Sequence, residues 1–149
     1  MELKQVNGLN EDFYNLCSKL ENFQYNLLPD LKNKGYNLTS NLENITGFVL
    51  YINNAPVGSI GLKKVDNETC EIVRVFVCED HRGNGYAKLL FNKIENLAKS
   101  LGYKKAEMVA WCKACSAIKL YKKLGYICSE EKSSEWFGGL KYVELNKTL

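Results

Sequence analysis

The sequence predicts an α/β (α+β) domain: a mixed, mostly antiparallel sheet of six to seven strands with helices on both faces. Three observations lead there. Residues 47–77 are dense in β-branched and aromatic side chains and are interrupted only by short polar turns, the pattern of an antiparallel meander. Apolar residues then recur every three or four positions in 90–101 and again in 117–124, and a glycine closes each run. Between them residues 105–111 read as a strand, so strand, helix and strand follow one another and imply a parallel pair. A chain of 149 residues with no internal repeat and no low-complexity linker is expected to form one domain over 1–149.

Taken in order, residues 3–6 suit a short first strand. Phe13, Leu16, Cys17 and Leu20 form an amphipathic helical stripe, with Asn10 as N-cap. Residues 27–31 are expected to continue that helix past Pro29 until Gly35, and 36–44 are polar and irregular. Strands are expected at 47–52 and 57–65 around an Asn53-Asn54 turn, and at 70–77 after Asp66-Asn67-Glu68. A long helix from near Asn84 should bury Leu90, Ile94, Leu97 and Leu101. A second should bury Ala117, Leu120, Tyr121 and Leu124. Strands at 126–129 and 140–145, around a loop with Gly138-Gly139, finish the chain.

Composition removes several function classes. A net charge of +3, with the lysines spread along the chain, gives no nucleic-acid footprint. No apolar run is long enough to span a bilayer, and the N-terminus lacks an apolar signal core, so a cytoplasmic protein with no membrane partner is expected. Cys112 and Cys115 form a C-x-x-C without a second pair. The single histidine, His81, lies far from them, so no metal site is expected and the six cysteines read as reduced thiols.

The stretch Arg82-Gly83-Asn84-Gly85-Tyr86-Ala87 sits between a strand and a helix. The first turn of a helix offers unbonded N–H groups and a partial positive charge, which favour phosphate. Gly83 and Gly85 allow close backbone approach, and Arg82 adds charge. A plain strand-to-helix turn is the other reading. The loop is neither a P-loop, lacking Gly-Lys-[Ser/Thr], nor a G-x-G-x-x-G fingerprint, since Lys88 stands where the third glycine belongs.

Arg82-x-x-Gly85-x-Ala87 resembles the [Arg/Gln]-x-x-Gly-x-[Gly/Ala] signature of the GCN5-related N-acetyltransferases (GNAT), small bacterial stand-alone type. Glu71-Ile72-Val73-Arg74-Val75-Phe76-Val77 is similar to the strand that precedes that loop. Ala117-Ile118-Lys119-Leu120-Tyr121, ending in Leu124-Gly125-Tyr126, resembles the family's later helix. About the first forty residues carry little of the match. The resemblance implies a GNAT-type sheet with a splayed parallel pair at the cofactor site, and acetyl-CoA as co-substrate without a metal. The acceptor would be a primary amine of a small molecule or peptide. Val75, Phe76 and Val77 would bond the pantetheine through their backbone. The pyrophosphate would lie on N–H groups of Gly83, Asn84, Gly85, Tyr86, Ala87 and Lys88, with Arg82 in support.

The resemblance also implies two catalytic side chains. Tyr121 stands where the family's general acid toward the CoA sulfur is found, and it also fits a buried helix face. Glu71 stands where some members carry a base, or it is a strand carboxylate paired with a lysine or arginine. Strict alternation groups Glu71 with Val73, Val75 and Val77 unless a bulge intervenes. Arg74 would orient an anionic acceptor or form a surface ion pair, and His81 reads as a cap or a solvent-facing residue. Ala114 departs from the asparagine many relatives carry. Tyr25, Tyr36, Trp136 and Phe137 border the expected acceptor region, with aromatic packing the plainer reading of each. A homodimer would use the late strands. A non-catalytic acyl-CoA sensor on the same fold is the alternative, against which Tyr121 counts. A nucleotide-phosphate module is a third, against which the missing P-loop lysine counts.

Overall fold

The chain opens with strand β1 (Glu2–Asn7), and Asn10 then starts helix α1 (Glu11–Leu27) by accepting the Phe13 N–H at 3.0 Å. The computed structural model describes residues 1–149. The helix does not continue past Pro29 as expected. Leu28, the residue before the proline, is driven out of helical geometry (φ −137°, ψ 83°), and a separate turn, α2 (Asp30–Asn33), follows.

Strands β2 (Thr46–Ile52) and β3 (Ala55–Lys64) meet at Asn53 and Asn54, whose φ of 51° and 66° make the tight turn that asparagine tolerates. β4 (Thr69–Val77) returns, and a single 3-10 turn (Glu79–His81) leads to α3 (Tyr86–Ser100). Then come β5 (Lys105–Trp111), α4 (Cys115–Lys123), β6 (Ile127–Cys128), β7 (Lys132–Ser134) and β8 (Leu140–Thr148). One sheet of eight strands results, one more than the upper expectation, because the short polar β7 pairs with β8. Its order is β1-β2-β3-β4-β5-β8-β6, and only β4 and β5 run parallel.

Helices cover both faces. Leu90, Phe91, Ile94 and Ala98 of α3 pack with Leu50, Ile60, Ile72 and Met108 in the larger core. No residue of α4 is fully buried, contrary to the expected stripe of Ala117, Leu120, Tyr121 and Leu124; Ile118, Tyr121 and the C-cap Leu124 only border that core. The buried stripe of α3 differs from the expected one: Leu101 ends the helix and is 57% exposed. Phe13, Leu16 and Cys17 of α1 pack on Val49, Val73 and Phe76 on the opposite face. Glu95, nearly buried on α3, accepts from the Tyr126 hydroxyl and from Lys147, both at 2.8 Å. Lys147 also donates to the Leu124 carbonyl at 2.7 Å and so ties the end of α4 to β8.

Two irregularities in the sheet create the site. Gly61 pairs with Val73 but Ser59 pairs with Phe76, so Arg74 and Val75 together face Ile60. This is a β-bulge, and Arg74 takes the positive φ of 57° there, at a cost of about 1–3 kcal/mol for a residue with a Cβ. The buried Ser59 hydroxyl donates to the Arg74 carbonyl at 2.9 Å and holds the distortion. Strict alternation along β4 therefore fails. Val73 and Phe76 share the α1 face, whereas Val75 and Val77 turn to the α3 face, away from Glu71. The second irregularity is that β4 and β5 stay in register only from Thr69–Lys105 to Glu71–Glu107, although each continues to its own end.

Candidate active site

Beyond Glu71 and Glu107 the parallel strands splay, and β4 keeps β3 as partner on its other edge through Val77. The edge of Val75, Phe76 and Val77 that faces β5 is thereby left without strand partners. A cleft of about 1140 Å³ occupies the gap, bordered by β4, β5, α1, the start of α3, α4 and the β7–β8 turn.

The Arg82–Ala87 loop closes one end of this cleft. Gly83 and Gly85 have φ of +81° and +78°, and Gly85 is the N-cap of α3. Space is not what demands glycine there, since a Cβ at either position would meet nothing within 4 Å; the backbone conformation is. No side chain caps α3, and Gly83, Asn84 and Gly85 donate to no backbone carbonyl. With the first-turn N–H groups of Tyr86, Ala87 and Lys88, they form an anion-binding end.

Most of the expected residues converge here. Glu71, Val75, Phe76, Val77, Arg82, Gly83, Gly85, Tyr86, Ala87, Lys88 and Tyr121 all line the cleft. Asn84 does not: its amide donates to the His81 carbonyl at 3.1 Å and stiffens the loop. Arg82 lies differently from a free phosphate clamp. Its Nε donates to the Val77 carbonyl at 2.8 Å, and its guanidinium stacks over Phe23 (4.8 Å) and Phe76 (5.6 Å), fastening α1 to the end of β4.

Tyr121 leans on Phe91, with ring centroids 5.4 Å apart, and burial alone pushes its phenol up to about 12. It therefore stays protonated at neutral pH and serves both packing and cleft. Glu71 likewise meets both readings. It lines the cleft, and its carboxylate is 3.6 Å from Lys63, its partner across β3–β4. Arg74 forms no ion pair; its Nε donates to the Leu38 carbonyl at 3.0 Å. His81 lies on the cleft wall, and Ala114 begins α4 there without a capping side chain.

The other end is aromatic. Tyr36, Trp111 and Phe137 pack edge to face, with centroids 5.3–5.9 Å apart, and Tyr142 adds a fourth ring 6.3 Å from Trp111. The Tyr36 hydroxyl donates to Gln24 at 2.7 Å, and burial raises its pKa against the opposing pull of Arg74. Trp136 stands 88% exposed at the mouth, and Tyr25 lies off the wall, its hydroxyl bonded to the Tyr36 carbonyl. Sequence reading missed Trp111 and Tyr142. The available signal was alternation: Ala106, Met108 and Ala110 take the core face of β5 and leave Trp111 on the other.

Residues 10–126 match the model of the acetyltransferase (GNAT) family. Over 91 residues the chain is 34% identical to an uncharacterized N-acetyltransferase of Methanocaldococcus jannaschii; the match takes in 57% of this chain and 39% of that protein. Among solved structures, a GNAT family acetyltransferase of Elizabethkingia anophelis with acetyl-CoA bound is similar at a TM-score of 0.74 and 18% identity, covering 99% of this chain and 97% of the other. An aminoglycoside 6'-N-acetyltransferase complexed with coenzyme A is similar at 0.76 and 16%, with the same coverage. At these identities the structural likeness speaks for the fold.

Proposed function

The chain belongs to the acetyltransferase (GNAT) family, and on that premise we propose that it carries acetyl from acetyl-CoA to a primary amine of a small molecule or peptide. One observation carries the reading: the splayed β4–β5 edge and the uncapped start of α3 open into the same cleft as Tyr121. The edge of Val75, Phe76 and Val77 would take the pantetheine amides as an added strand would. The N–H groups from Gly83 to Lys88 would take the pyrophosphate, with Lys88 at the cleft and the Arg82 charge behind it. Asn84 would contribute its backbone alone.

In the proposed reaction the acceptor ammonium first loses a proton to Glu71, directly or through water. The neutral nitrogen attacks the thioester carbonyl, the C–N bond forms and the C–S bond breaks. The departing thiolate takes the Tyr121 proton, and the proton that the nitrogen sheds on becoming an amide restores the phenol. A phenol held protonated by burial suits that role. Glu71 would have to exchange Lys63 for the acceptor, an adjustment the partly exposed pair permits.

A thiol-release assay with acetyl-CoA across amino acids, polyamines, aminoglycosides and lysine peptides tests the reading. Turnover of at least one amine, lost in Tyr121→Phe, is expected. Silence across the panel despite acetyl-CoA binding would instead favour a sensor.

A further inference from the structure

The charge and shape of the acceptor end select among amines. Only two carboxylates, Glu71 and Glu135, line the cleft, and Glu71 is already paired with Lys63. Arg74, Arg82 and Lys88 line it as well, so cations outnumber anions. A polyamine or an aminoglycoside would bring several ammonium groups to a wall that cannot neutralise them. What the wall does offer is the edge-to-face set Tyr36, Trp111 and Phe137, broad apolar surface whose rings brace one another.

Arg74 adds the second half of the pattern. A glycine or asparagine would take the bulge at φ 57° with less strain, yet the position carries an arginine. That side chain reaches the cleft, and its Nε donates to Leu38 O, two residues from Tyr36. No carboxylate pairs with it. Glu21 of α1, on that side, accepts the Leu38 N–H at 2.7 Å and forms no ion pair with the guanidinium. The Glu21 charge lies nearby but is spent on that N–H, so the guanidinium, in a partly buried wall and without an ion-pair partner, can receive an anion, and its geometry suits a carboxylate.

We propose that the acceptor is an amino acid with an aromatic or large apolar side chain, its carboxylate on Arg74 and its side chain against the Tyr36–Trp111–Phe137 wall. This rests on the acetyl-transfer reading of the same cleft. The product is the N-acetyl amino acid. Its amine nitrogen gains the acetyl carbon and loses two protons: one departs through Glu71 before attack, and the other restores Tyr121 after the phenol has protonated the departing thiolate.

Phenylalanine and phenethylamine decide the matter, because they differ only by the carboxylate. Alongside them leucine, tryptophan, spermidine and kanamycin are assayed by thiol release, and acetyl-CoA binding is followed separately by calorimetry. For the wild type, kcat/KM for phenylalanine is expected to exceed that for phenethylamine by about tenfold or more. Arg74→Gln should bring that ratio close to one and leave acetyl-CoA affinity unchanged, while Arg74→Lys retains part of it. Should Arg74→Gln fail to fold, the wild-type ratio and Arg74→Lys still decide. A wild-type ratio near one, a preference for spermidine or kanamycin, or no amino-acid turnover in a protein that binds acetyl-CoA would each overturn the inference and spare the donor reading. Failure to bind acetyl-CoA would overturn both.

Discussion

Along β4 and the start of α3, the groups free to bond are backbone groups, the β5-facing edge of residues 75–77 and the N–H groups of residues 83–88, from one short stretch of chain. Across the cleft they are side chains: Tyr36, Trp111, Phe137 and Tyr142, drawn from four separated segments. A backbone site depends on chain direction and on two positive-φ glycines, so it is written locally and resists change at most side chains. A side-chain site depends on how distant segments pack, so each substitution alters what it accepts. That contrast is why the expected donor is specific while the acceptor has to be argued from charge and shape.

Substitutions that strike one half and spare the other test the contrast. The largest effect is expected at the meeting point. Tyr121→Phe should lower kcat by about 10²- to 10⁴-fold, the usual worth of a positioned acid, with little change in acetyl-CoA affinity. Stopped-flow or steady-state thiol release reads this directly, and an unchanged kcat would show the side chain to be packing only.

Next is the donor half. Gly85→Ala meets no neighbour with its new Cβ, so the cost is conformational alone, about 1–2 kcal/mol at φ +78°. It should weaken CoA binding by about five- to thirty-fold and leave the relative KM values of different amines as they were. A changed amine preference would mean that the two halves are not separable.

In the acceptor half the opposite split is expected. Phe137→Ala removes one ring of the wall and should raise the KM of the preferred amine by about three- to tenfold, with CoA affinity intact. Equal losses for CoA and amine would indicate collapse of the β7–β8 turn instead.

The smallest effect concerns pH. The Tyr121 phenol is raised by burial to about 12, above its unfolded value, so its contribution to stability is complete below about pH 10 and is lost as pH rises toward 12. Thermal melts of the wild type should fall over that alkaline window. The fall should be shallower in Tyr121→Phe, and curves of equal slope would contradict the shift.

Contiguity also explains what was legible in the sequence. The Asn10 cap, the Asn53–Asn54 turn and the strand–loop–helix from Glu71 to Lys88 are local, and each is readable from residues a few positions apart. The bulge at Arg74 was legible only as a condition, because no glycine marks it and the partner that holds it, Ser59, comes from another strand. Pro29 was misjudged because its effect falls on Leu28 before it. Arg82 was expected to face phosphate, yet its stacking on Phe23 depends on where α1 docks. Trp111 and Tyr142 escaped because they meet only through the β5–β8 register, which places them opposite one another.

The central claim, that the backbone of the β4–α3 junction is a coenzyme A site, is tested most directly by isothermal titration of the wild-type chain with acetyl-CoA, CoA and ATP. Saturable binding of acetyl-CoA and CoA, with ATP much weaker, is the predicted result. Tight ATP binding with none of either thioester or CoA would contradict it.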